Sequence, residues 1–149
     1  MEALQTGLLL GSLGAIIIAI ILIYLIPVIA GWKLFEKANI AGWKSLIPIY
    51  NLYLIYKLSG MSGLWIIPLL VVACYSGIVS AGIVLPSWVS LIMLVFLVLT
   101  IISRIMFFIK LPKAFGKGVG YIIGMFFIPE IIEIVLGFGK AEYVGEYKE

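Results

Sequence analysis

Residues 63–103 read GLWIIPLLVVACYSGIVSAGIVLPSWVSLIMLVFLVLTIIS, without one Asp, Glu, Lys or Arg. An uncharged apolar run reads as a membrane crossing once it reaches about 18 residues, because roughly 20 residues of helix cover the hydrocarbon core. This run is about twice that length. Leu85-Pro86-Ser87 divides it, since proline disfavours helical backbone in the residue before it. The stretch therefore predicts two spans, 63–84 and 88–109, joined by a short turn that carries no charge.

Residues 3–32 are also uncharged, which predicts a first span over 7–30 with Pro27 near its end. Its only charged flank is Glu2, so it is expected to be a retained span and not a cleaved leader, which would open on a basic region. Gly7, Gly11 and Gly14 fall on one helix face, where small residues permit close helix approach. A fourth span is expected at 119–136. Its uncharged part, 118–129, is too short to cross alone, so this span requires Glu130 and Glu133 to enter the membrane. The expected fold is an all-α integral membrane protein, a single membrane domain over residues 1–149. It would be a four-helix transmembrane bundle with an interfacial or re-entrant helical segment between spans one and two.

The charges orient this arrangement. Residues 32–62 carry Lys33, Lys37, Lys44 and Lys57 against Glu36, and the end of the third span carries Arg104, Lys110, Lys113 and Lys117 with no acid. Basic loops stay in the cytoplasm. Two such loops separated by two spans share a side, as these do. The expectation is a multi-pass protein of the cytoplasmic membrane with both termini outside. The tail, 139–149, is expected to be a short solvated end. The lysines at 33, 37, 44, 57, 110, 113 and 117 are candidate contacts for anionic lipid headgroups, each contributing about 1 kcal/mol near the surface. Nucleic acid is not an expected partner, because these basic residues flank spans as the topology already requires.

The segment 32–62 is more than a linker. Twelve uncharged residues separate Lys44 from Lys57, too few to cross but suited to an interfacial or re-entrant helix. Tyr50, Tyr53 and Tyr56 recur every third residue, and with Trp32, Trp43 and Trp65 they suit the headgroup level. Pro48 breaks any helix running through it. Asn51 is a candidate structural polar group, able to satisfy backbone freed by the break or to face solvent beside a surface elbow.

The pattern Trp32-x-Leu34-Phe35-x-Lys37-Ala38, followed by Gly42-Trp43-x-x-Leu46-Ile47-Pro48-Ile49-Tyr50-Asn51, resembles an uncharacterised family of small prokaryotic multi-span membrane proteins. Ala114-Phe115-Gly116-Lys117, a glycine-containing apolar run to Pro129, and Gly137-Phe138-Gly139 are similar to it as well, so the likeness runs over 32–143. The resemblance implies three or four membrane helices and supplies no activity, substrate or catalytic residue. Chains of this kind sometimes carry a signal-peptidase label. That chemistry needs a serine activated by a neutral lysine. Ser59-Gly-Met-Ser62 is only superficially similar to such a nucleophile region, and Ser59 is expected on the cytoplasmic face.

Composition narrows the remaining chemistry. The chain has 149 residues, 64% hydrophobic and 11% charged, with no His and no Asp. No Ser-His-Asp triad, histidine metal site or aspartate pair can be assembled within it. Cys74 is the single cysteine and is expected to be buried and inert. No cofactor, metal or catalytic residue is expected, and the chain is not expected to be an enzyme. Glu130 and Glu133 are the candidate intramembrane ion or proton site: they lie three apart on one helix face, and a charge at bilayer depth usually faces protein or water. Pro129 offers a plainer role, because acids in a helix's first turn complement its dipole. The leading expectation is a membrane protein acting through helix–helix or subunit contacts, as a homo-oligomer or part of a membrane complex. The alternative is a small oligomeric channel or transporter using the two glutamates.

Overall fold

A computed structural model describes residues 2–145, with side chains at all of these except 2–6, 8–10 and 23. Every regular element within that range is helical. Helix α1 (Glu2–Lys37) leads through a 3₁₀ turn at Gly42–Leu46 into α2 (Pro48–Leu58); a second turn, Gly63–Ile66, opens onto α3 (Ile67–Ser80). Then come α4 (Ser87–Ala114), α5 (Val119–Phe127) and α6 (Pro129–Phe138). Among the described residues, three stretches are long and apolar enough to cross a membrane: Gly11–Lys37, Gly63–Ser80 and Ser87–Ala114.

Local chemistry places the ends of these helices. Pro48, Pro68 and Pro129 sit in first turns, where a missing N–H costs nothing. Helices α1 to α4 all stop in the same way. Just past each end stands a residue with left-handed backbone: Asn39, Gly60, Gly82 and Gly116. The N–H groups there turn back onto the last-turn carbonyls, as Gly116 does to Lys113 (2.9 Å) and Lys117 to Pro112 (2.9 Å). This is the Schellman arrangement, which satisfies carbonyls the helix leaves open.

Helix α1 runs seven residues past the expected end of its span, α3 stops at Ser80 and α4 continues to Ala114. The expected fourth crossing is not a single helix. Pro129 has no N–H, and Ile128 leaves the helical region (φ −144°, ψ 61°), so 119–136 divides into α5 and α6, of 9 and 10 residues. Each is about 15 Å long at 1.5 Å per residue, half the hydrocarbon thickness. The two fold back on one another, with Ile132 lying over Gly124 so closely that an added Cβ would meet its Cδ1 at 2.6 Å. Phe126, near the bend, stands edge-on to Phe108 at 5.3 Å. The hairpin thus begins and ends beside the C-terminal end of α4. The Val144 N–H donates to the Ala114 carbonyl (2.8 Å), and the Tyr143 ring meets Phe115 at 5.3 Å.

This return corrects two expectations. The described part of the tail lies at the same end as the two basic loops, not opposite them. It is also docked: Ala141 is buried and the Tyr143 hydroxyl donates to the Leu58 carbonyl (3.2 Å). Residues 146–149 of the expected polar tail lie outside the described residues.

The core gathers at that end. Leu34 and Phe35 of α1, Leu54 and Tyr56 of α2, Phe107 and Leu111 of α4, Met125 of α5 and Leu136 of α6 form one buried cluster. Tyr56 stacks on Phe107 at 4.9 Å. Ser103 joins three elements here, its hydroxyl hydrogen-bonded to the Tyr56 hydroxyl (3.1 Å) and donating to the Trp65 carbonyl (3.1 Å). The distal halves of the long helices are clothed in exposed leucine, isoleucine and valine. Cys74 is among the exposed residues, contrary to the expected burial, and lines an open cleft with Val89 and Met93 of α4.

Candidate functional site

Two places bring candidate polar residues together. The first is the junction of α1 with the turn Gly42–Leu46 and α2. The sequence Gly42-Trp43-Lys44-Ser45-Leu46 folds back along α1 because Gly42 has no side chain: an added Cβ would stand 2.3 Å from the Trp32 ring. The Trp32 indole N–H donates to Glu36 Oε1 (2.7 Å), and Lys33 pairs with the other carboxylate oxygen (2.8 Å). Higher on α1 the Tyr24 hydroxyl donates to the Leu46 carbonyl (3.1 Å). These contacts hold Ser45 and Asn51 against Gly31, where an added Cβ would meet Asn51 Oδ1 at 2.9 Å and Ser45 Cβ at 3.3 Å.

Asn51 is therefore buried against protein, the first of the two placements open to it from sequence. Its Oδ1 nevertheless has no hydrogen-bond partner, and neither does the buried Ser45 Oγ. Both border a cavity of about 440 Å³ together with Tyr24, Pro27 and Val28. Sequence reasoning missed Ser45, a serine beside Lys44 in a short turn, which carries no signal of burial.

The second place is the hairpin. Glu130 occupies the first turn of α6 and is exposed, whereas Glu133 is partly buried. Arg104 of α4 and Glu130 are the charges that act on Glu133. Arg104 itself lies over the Phe108 ring, 5.9 Å from its centroid. Among the described residues no group of three or more metal-ligating side chains is assembled.

The candidate headgroup lysines take several positions. Lys37 donates to the Leu136 and Gly139 carbonyls (2.5 and 2.7 Å), and Lys110 to the Gly60 carbonyl (3.4 Å). Lys57 and Lys117 lie over the rings of Tyr53 (5.0 Å) and Tyr121 (5.6 Å). Lys33 holds Glu36, Lys44 is half-buried beside Ser45, and Lys113 is exposed. Several of them thus join elements of the fold at the end where the loops gather.

A sequence profile described as a family of unknown function (DUF5684) matches residues 71–146. The matched region holds α4, the hairpin and the docked tail. The tryptophan-rich pattern at 32–51 lies outside it, so the match rests on the second of the two stretches that carry the resemblance. No curated protein and no solved structure matches the chain.

Proposed function

We propose, from the premise that the chain belongs to the family of unknown function DUF5684, that it is a non-enzymatic integral membrane protein acting through lateral contacts with further copies of itself. One observation carries this reading: the three apolar stretches have only 12, 17 and 11% of their most apolar windows buried within the chain. The outer half of α1 shows it most clearly. An added Cβ at Gly7, Gly11 or Gly14 meets nothing within 4 Å, leaving a small-residue face of the kind that lets helices approach closely in lipid. In this reading the basic loops, the hairpin and the docked tail lie on the cytoplasmic side. The N-terminus lies outside, and the exposed lysines meet anionic headgroups.

Cysteine cross-linking in native membranes tests it, with Cys74→Ser as background. Gly14→Cys is expected to give an oxidised dimer and Ile16→Cys, on the opposite face, to give none. Equal cross-linking at the two positions, or none at either, overturns the reading.

A second reading follows from the hairpin: an oligomeric channel or transporter in which Glu133, partly buried and under the influence of Arg104, binds a cation or proton. Ion flux in proteoliposomes that Glu133→Gln abolishes supports it. A native protein without flux under any gradient removes it.

A further inference from the structure

From the reading that α1 crosses the membrane, we propose that the chain between α1 and α2 also enters the bilayer. It goes in from the basic end and turns back, so that Leu46, Ile47 and Ile49 at its apex pack against acyl chains. Two contacts give the height of this path along α1. Gly42 sits against the Trp32 ring, and the Leu46 carbonyl accepts from the Tyr24 hydroxyl (3.1 Å). Trp32 and Tyr24 are eight residues apart, about 12 Å along the axis, so the turn climbs about that far toward the N-terminal half of α1. Tyr24 is the midpoint of the apolar stretch Gly11–Lys37. Pro48 borders one cleft with Ile20 and Tyr24. Helix α2 then leads back to the basic end, where the Leu58 carbonyl accepts from the Tyr143 hydroxyl (3.2 Å) and the Gly60 carbonyl from Lys110 (3.4 Å).

Side-chain chemistry changes with height along this path. Trp43, beside the lower contact, is exposed and suits the headgroup level. Lys44 follows, with a stem long enough to keep its ammonium at the headgroups. Residues 45–56 carry no charge. At the apex Leu46, Ile47 and Ile49 are 49, 46 and 58% exposed. They stand beside a part of α1 whose own exposed side chains, Ile20 and Ile21, meet lipid on the same reading, so the acyl-facing surface of α1 continues onto the turn. Backbone at that depth has no water to bond, and its polar groups must be taken up within the protein. The Leu46 and Ile47 carbonyls accept from the Tyr24 hydroxyl and the Asn51 N–H (2.7 Å), and the Ile47 N–H donates to the Lys44 carbonyl (3.4 Å). Pro48 has no N–H to satisfy. A surface elbow in water would instead leave three large aliphatic side chains exposed together.

The test uses the full chain in phosphatidylcholine nanodiscs, in a Cys74→Ser background, with a nitroxide on Ile49→Cys. Collisions with oxygen, which gathers in the bilayer, and with a nickel chelate, which stays in water, report depth. The references are Ile16→Cys on α1 and Lys113→Cys at the basic end, both exposed positions. Position 49 is expected to resemble 16, with nickel collisions several-fold rarer than at 113 and oxygen collisions more frequent. Ile47→Cys gives the same reading should Ile49→Cys fail to fold. Nickel collisions at 49 as frequent as at 113 overturn the proposal and leave the elbow on the surface. Few collisions of either kind at 49 also overturn it, because protein, such as a second copy, then covers the apex. Nickel collisions at 16 as frequent as at 113 overturn the crossing of α1 itself, a failure distinct from one confined to 49.

Discussion

The ammonium of Lys37 donates to the carbonyl oxygen of Leu136, 2.5 Å away and 99 residues further along the chain. With its second bond, to Gly139 (2.7 Å), Lys37 caps the C-terminal end of α6, where open carbonyls favour a cation. The end of α1 thereby fixes where the hairpin returns.

Lys37→Met keeps the aliphatic stem and removes the donor. It should lower stability in detergent by roughly 1 kcal/mol and increase proteolysis at 139–145. A thermal transition and digestion pattern identical to those of the native chain would show that the cap contributes nothing.

Gly42→Ala puts a methyl group 2.3 Å from the Trp32 ring. The indole must leave Glu36, and the change should cost about 1–3 kcal/mol, the range for overpacking. Tryptophan emission should shift with the altered surroundings of Trp32, and Trp32→Phe should abolish that shift.

Tyr56→Phe removes the hydroxyl that meets Ser103 (3.1 Å) but leaves the ring on Phe107 and the Ser103 bond to the Trp65 carbonyl. The expected loss is about 1 kcal/mol, the net worth of one hydrogen bond, read from denaturation in mild detergent. A loss several times larger would mean that the stacked ring had moved as well.

The fold-back of α5 on α6 sets the side on which the tail emerges. In a Cys74→Ser background, Asn39→Cys and Glu142→Cys should react with a membrane-impermeant maleimide from one side, and Val84→Cys from the other. Reaction of the 142 and 84 positions from the same side would mean that 119–136 crosses after all.

Much of the fold was legible because the forces behind it are local. The uncharged runs mark the stretches apolar enough to cross a membrane, and Leu85-Pro86-Ser87 marks the turn between α3 and α4. The break at Ile128–Pro129 was visible too, but its consequence was not. A chain whose helix breaks there can run on or turn back, and the contacts that decide between them are Ile132 over Gly124 and Val144 against Ala114. The tail's composition pointed to solvent, while its tyrosine and alanine found places beside Leu58 and within the core. Asn51 announced itself by standing in a helix after a proline. Ser45 did not, since a serine in a turn is ordinary until its burial is known.

The amino-acid order alone determined that this is a chain of helices with three stretches apolar enough for a bilayer, because hydrophobicity and helix-end chemistry act within a few residues. Tertiary structure decided which part of the chain turns back, what the lysines hold, and that Ser45 and Asn51 are buried together against Gly31. Those outcomes depend on contacts between residues tens of positions apart, where only packing in three dimensions sets the neighbours.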